Sequence, residues 1–171
     1  MEQDKLERIV AQVIENVQNG AMTPKEAPVQ QIKSITLDAA KALIAEVEKE
    51  AKRIGVNAVI AVSNAGANPV AVHCMDNSYI ASFDVAFQKA YTVVALKMST
   101  MTLKGLSQPG GALYGIQHTN QGRIVIFGGG EPLVVDGVVI GGLGVSGGTE
   151  EQDAALAEYG KNKLKEVVAW L

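Results

Sequence analysis

The sequence predicts an α+β domain with a mainly antiparallel, five-stranded sheet and helices packed on it, preceded by a separate amphipathic helix. Three observations lead there. Segments with 3.6-residue periodicity alternate with two groups of short, β-branched runs. Each group holds a hairpin signal, Gly66-Ala67-Asn68 in the first and Asp136-Gly137 in the second. Hairpins imply antiparallel neighbours, whereas a doubly wound sheet would separate its strands by helices. The 171 residues, 47 % hydrophobic and 19 % charged, suffice for one ordinary domain with an appendage.

Residues 1–19 form the appendage. Leu6, Ile9, Val10, Val13, Ile14 and Val17 recur at three- and four-residue spacing and share one face. Lys5, Glu7, Arg8, Gln12, Glu15 and Asn16 fill the other, Asp4 with Glu7 resembles a capping box, and Asn19-Gly20 supplies a stop. Residues 20–34 carry Pro24 and Pro28 with no useful periodicity and read as a linker. A lone helix of this length is marginal in water, so its apolar face needs a partner. It either folds back on its own domain or docks in a groove on another protein.

Residues 35–171 form the domain. Thr36 caps a helix over about 37–54, with Ala40, Leu43, Ile44, Val47 and Ala51 inward and Gly55 ending it. "NAVIAVSN" and "PVAVHCM" are strands joined by the first hairpin turn. Residues 77–98 return to helical spacing, with Ile80, Phe83, Phe87, Tyr91 and Val94 on a stripe expected to face the core. "LKGLSQPGGALYGI" is irregular, with short helical turns at most. Arg123–Phe127 reads as a strand, "GGGEP" as a turn, and "LVVDGVVIGGLGV" as a hairpin. Thr149 and Gln152 make a capping box for a last helix near 150–170, with Leu156, Tyr159, Leu164, Val167 and Val168 inward. Five strands under helices suggest a profilin- or PAS-like layered domain.

Composition narrows the function. A net charge of −3 without a basic block excludes nucleic acid as a partner, because phosphates need clustered Lys and Arg. One cysteine, Cys74, excludes an intramolecular disulfide or a Cys-rich zinc site and reads as a small buried hydrophobe. No run reaches the length of a membrane span, and "MEQDKLERIV" has no apolar signal core, so a cytoplasmic location is expected.

Gly142, Gly144 and Gly147 in "VVIGGLGVSGGTEEQ" match G-x-G-x-x-G. A dinucleotide site needs those glycines between the first strand and first helix of a βαβ unit, with an acid ending the next strand. Here the motif closes the domain and its first glycines lie inside a strand. No G-K-[ST] occurs either. These glycines, with Gly128, Gly129 and Gly130, instead mark close approach of another backbone or of a flat ligand.

Taken together and in order, "IAVSNAGANPVAVHCMDN", "SFDVAFQKAYTVV", "QPGGALYGI", "GRIVIFGGGEPL" and "GVVIGGLGVSGGTEEQD" resemble the GlcG/HbpS family, which includes the C-terminal domain of PduO-type proteins. The resemblance spans about residues 35–168. It implies a three-layer α-β-α sandwich, a homo-oligomer, and binding of haem or a related tetrapyrrole such as a corrinoid. It raises Gly128–Gly130 and Gly147-Gly148 to candidate pocket walls. Residues 1–19 resemble a different thing, the encapsulation peptides that carry cargo into bacterial microcompartments. That implies a shell protein or cargo as partner and the compartment lumen as location.

Haem iron takes a His, Cys, Met or Tyr ligand. His73 lies on the second strand beside Cys74 and Met75, and alternation points it with Ala71 and Met75. His118 lies in the polar stretch "QHTNQG". Asp84 is either a helix-face charge or a buried, paired carboxylate. Ser63, Ser78 and Ser146 are not placed by any catalytic motif, so no enzyme class is assigned. The expected role is a haem- or tetrapyrrole-binding accessory protein of a microcompartment. An enzyme or subunit acting on a small metabolite or corrinoid, and an oligomeric interaction module without ligand, remain alternatives.

Overall fold

The computed structural model describes residues 2–18 and 32–169, in two compact units divided between residues 31 and 32. Apart from residues 32–34, the expected linker lies outside the described residues, as does the Asn19-Gly20 stop.

The first unit is helix α1, Glu2–Gln18. It starts two residues earlier than the sequence suggests, so Asp4 lies inside the helix and does not cap it. Leu6, Ile9, Val10, Val13 and Ile14 are all exposed, at 48–63 %. The side chain of Val17 is outside the described set.

The second unit is α+β. Its helices are α2 (Leu37–Arg53), α3 (Ser82–Ala95), α4 (Thr100–Leu106) and α5 (Glu150–Ala169). Its strands are β1 (Val59–Asn64), β2 (Pro69–Cys74), β3 (Gly130–Val135) and β4 (Val138–Ser146). They form one antiparallel sheet in the order β2-β1-β4-β3. Four strands stand where five were expected. Residues 123–127 are irregular, because Val125 N–H goes to the Thr92 hydroxyl on α3 and Arg123 Nε donates to the Gln88 side chain on the same helix. That stretch is fastened to α3 and cannot join the ladder. The third strand begins instead at Gly130, inside the expected turn.

Local chemistry explains the ends. Thr36 accepts from Ala39 N–H at 3.2 Å, and Gly55 with φ +73° closes α2. Thr149 and Gln152 exchange both bonds of the capping box at the start of α5. Asp136 and Gly137 both adopt positive φ, as the two-residue hairpin turn requires. At the other hairpin the Asn64 side-chain oxygen accepts from Gly66 and Asn68 N–H groups and folds the turn on itself.

Helices α2 and α5 cover one face of the sheet and α3 the other. On the first face Ala40, Leu43, Ile44, Val47 and Ala51 meet Ile60, Leu143, Val145, Leu156 and Leu164 in a continuous core. Burying each larger side chain there contributes about 1.5–3 kcal/mol. Val167 is buried as expected, Tyr159 half-buried, and Val168 exposed.

The other face corrects the sequence reading. Helix α3 turns Ser82, Ala86, Lys89, Ala90 and Val93 inward; of the expected stripe Val94 is buried, Phe87 and Tyr91 are half-buried, and Ile80 and Phe83 are exposed, at 96 % and 48 %. Gly142 and Gly144 of β4 explain the inversion. A side chain on Gly144 would overlap the Ala86 carbonyl and lie 2.7 Å from Ala90 N, and one on Gly142 would meet Val93 at 2.6 Å. The helix backbone lies so close to the strand that only small residues fit between them. The G-x-G spacing is therefore a packing device.

Candidate functional site

The two histidines occupy different places. His73 stands on the edge strand β2, paired in register with Ile60, whose side chain belongs to the core under α2. It therefore shares that face, and its Nδ1 lies 2.8 Å from Glu48 Oε1 on α2. The His73 side chain is 43 % exposed and Glu48 24 %. Nε2 of His73 has no hydrogen-bond partner among the described residues. Its neighbours divide as alternation predicts: Cys74 is exposed rather than buried, being at the outer end of an edge strand, and the Met75 sulfur accepts from Ala58 N–H. His118 ends a short 3₁₀ turn, Ile116–His118, and is exposed. That segment is tied to α3 through Asn120 and Tyr91, on the opposite side of the sheet from His73.

The glycine segments also divide. Gly147 and Gly148 line an open cleft of about 400 Å³ with Val56, Asn57, Tyr79 and Gln152. Gly128, Gly129 and Gly130 are buried. A side chain at any of the three would overlap Met101, Lys89, Asp153 or Thr100, and Gly128 N–H donates to Glu150 Oε1 at 2.7 Å.

Between these segments lies a buried ion pair that sequence reasoning missed. Lys89, with no exposed surface, donates to Asp153 Oδ2 at 2.9 Å and to the Val145 carbonyl at 2.7 Å. The Phe127 ring stands 5.0 Å from its ammonium. The other Asp153 oxygen accepts from Gly148 N–H at 2.9 Å. Burial pushes the Lys89 pKa below the usual lysine range, against the opposing pull of Asp153. Glu150 is held below the carboxylate range by the Gly128 amide and by Lys104, whose Nζ is 2.6 Å away. The available signal was the spacing of Lys89 with Ser82, Ala86, Ala90 and Val93, which the aromatic stripe outweighed. Asp84, the charge the sequence did single out, is exposed.

This arrangement limits the chemistry. Among the described residues no three His, Cys, Asp or Glu side chains converge on a metal-binding point. Neither histidine bonds a serine. Ser63 is spent on the Ala90 carbonyl and Ser146 on Ser82. What remains is one imidazole oriented by a carboxylate with its second nitrogen free, the arrangement of a single metal ligand with its outer partner. That donor set fits an axial position on a porphyrin iron, which needs one or two protein ligands.

Residues 35–162 match the family model described as "Haem degrading protein HbpS-like". The chain belongs to this family. A 15.0 kDa protein from the dhaT-dhaS intergenic region of Citrobacter freundii is 49 % identical over 75 % of this chain and 91 % of its own length. The corrinoid adenosyltransferase PduO of Salmonella typhimurium is 41 % identical over 64 % of this chain. That match takes in only 33 % of PduO, so the HbpS-like domain spans about a third of that relative. Among solved structures, Klebsiella pneumoniae ORFY superposes with a TM-score of 0.79 at 42 % identity, covering 83 % of this chain and 98 % of that one. The PduOC:heme complex gives 0.73 at 35 % identity, covering 75 % and 94 %.

No helix among the described residues is long and apolar enough to cross a membrane.

Proposed function

We propose that this HbpS-like protein binds haem or a closely related tetrapyrrole and serves as an accessory protein in a bacterial microcompartment. The observation that carries the reading is its likeness to the PduOC:heme complex across nearly all of that chain. The partly exposed, carboxylate-paired His73 supports it from within. His73 would hold the iron, with His118 the competing ligand. Gly147 and Gly148 would border the ligand's approach at their cleft, and the buried Gly128–Gly130 turn would stiffen the wall behind it. Bound haem would supply a redox-active iron. The chain's own part is to present one imidazole, fix its orientation through Glu48 and offer an apolar surface.

On the other side of the sheet, Tyr79, Ile80 and Phe83 are exposed at the start of α3, at 72 %, 96 % and 48 %. Exposed apolar clusters of this kind support association with further copies of the chain. Helix α1 shows an exposed apolar stripe opposite a charged one, which supports docking to a shell protein or to another cargo. The compartment lumen would then be its location.

A haemin titration of the full chain, followed in the Soret band, tests the binding. The expected result is a saturable band, lost in His73→Ala and kept in His118→Ala. Weak, unsaturable binding that neither substitution alters would refute it. The match to a corrinoid adenosyltransferase favours a second reading, with a corrinoid as the ligand. Cobalamin in place of haemin separates the two.

A further inference from the structure

We propose that Glu48 is a positioning residue for the His73 ligand: it fixes the imidazole tautomer and presents Nε2 to the iron. The proposal rests on the haem reading above and adds a residue that no motif marks.

The geometry supports it in three steps. First, β2 and α2 are independently anchored. Register with Ile60 fixes the face on which His73 stands, and burial of Leu43, Ile44, Val47 and Ala51 fixes the rotation of α2 that brings Glu48 to it. The 2.8 Å contact therefore joins two rigid elements. Second, a carboxylate only accepts, so Nδ1 must carry a proton, and in the neutral imidazole Nε2 then keeps its lone pair. Third, the Met75 sulfur, a rival soft donor two residues on, is already engaged, accepting from Ala58 N–H at 3.4 Å.

A cleft of about 340 Å³ opens beside Glu48, lined also by Lys52, Asn57, Cys74, Met75 and Asp76 but not by His73 itself. It leaves space next to the Glu48–His73 pair, with the Lys52 cation available to a propionate. The Glu48 anion behind the imidazole would raise its basicity and favour the ferric over the ferrous state.

The test uses the full chain and three readouts: haemin affinity, reduction potential, and the ¹⁵N shifts of the His73 ring without haem. Glu48→Gln keeps an acceptor oxygen at the same reach but removes the charge; Glu48→Ala removes both. Wild type and Glu48→Gln should show the Nδ1–H tautomer and bind haemin within about three-fold of each other, with a higher potential in Glu48→Gln. Glu48→Ala should show mixed tautomers and bind about 10–100-fold more weakly. Unchanged circular dichroism across the set would establish that folding is intact. If His73→Ala abolishes binding while Glu48→Ala binds like wild type, the positioning role is overturned and the haem reading stands. If wild type itself shows no saturable band, the haem reading fails and takes the proposal with it.

Discussion

Replacing Asp153 by Asn tests the buried ion pair that joins α3 to the start of α5. The substitution is nearly isosteric, and its amide oxygen can still accept from Gly148 N–H. What it removes is the charge that faces Lys89 at 2.9 Å. Lys89 has no exposed surface, and its remaining strong acceptor is the Val145 carbonyl. Stranding one member of such a pair costs about 3–5 kcal/mol, a large share of the roughly 5–15 kcal/mol that holds a domain of this kind together. Lys89→Met should cost less, because Asp153 keeps its Gly148 donor. The double variant Lys89→Met/Asp153→Asn should be more stable than Asp153→Asn alone, with a coupling of at least about 2 kcal/mol.

Urea unfolding at fixed protein concentration, with an unchanged dependence on urea, gives these differences. The pH dependence has a definite sign. Burial lowers the Lys89 pKa, so between its folded and unfolded values the native state holds fewer protons and stability rises with pH. Losing Asp153 lowers that pKa further. The deficit of Asp153→Asn should therefore shrink toward pH values near the unfolded lysine value of about 10.4. Additive single effects, or a deficit below about 1 kcal/mol at pH 7, would refute the reasoning.

Three further outcomes follow from the packing, the charges and the terminal helix. Gly144→Ala should destabilise by about 1–3 kcal/mol or more, since its methyl group meets the α3 backbone, with Ala90 N at 2.7 Å. Gly105→Ala, in α4 with nothing within 4 Å, should instead gain about 0.5–1 kcal/mol, and urea midpoints compare the two. The lowered Glu150 pKa gives stability that is present above the unfolded value of about 4.3 and is lost as pH falls through the folded one. Wild type should therefore exceed Glu150→Gln at pH 7 and lose that advantage in acid, as read from urea midpoints across the pH range. A fluorescent protein carrying residues 1–19 should become punctate only where shells are expressed. Ile9→Glu with Val13→Glu should return it to a diffuse signal, and puncta that survive those changes would count against docking by the apolar face.

The parts of the fold legible in the sequence were those governed by local chemistry. The Thr36 cap, the Thr149–Gln152 box and the Asp136-Gly137 turn declare themselves because each is a short-range hydrogen-bond or dihedral requirement. The inner face of α2 was equally plain, since Leu43, Ile44 and Val47 mark it and the polar positions of the helix are charged.

Helix α3 was misread because hydrophobicity alone does not say which face is inward when the opposing strand is glycine-lined. Ala86 and Ala90 take the core there by virtue of being small, Phe83 is left outside, and Phe87 and Tyr91 stay half-buried. The fifth strand failed for a long-range reason. Val125 and Arg123 are claimed by Thr92 and Gln88, more than thirty residues earlier, which nothing local in "GRIVIF" announces.

The candidate site shows the same division. His73 could be found as a possible ligand and its face read from alternation. Glu48 and the Lys89–Asp153 pair could not, because each partner lies on a different element, 25 and 64 residues apart in sequence.

The most direct test of the central claim is the low-temperature EPR spectrum of the ferric haem complex of the full chain. The account predicts a histidine-ligated ferric signal that disappears in His73→Ala and persists in His118→Ala. A signal unchanged by His73→Ala, or lost only in His118→Ala, would contradict it.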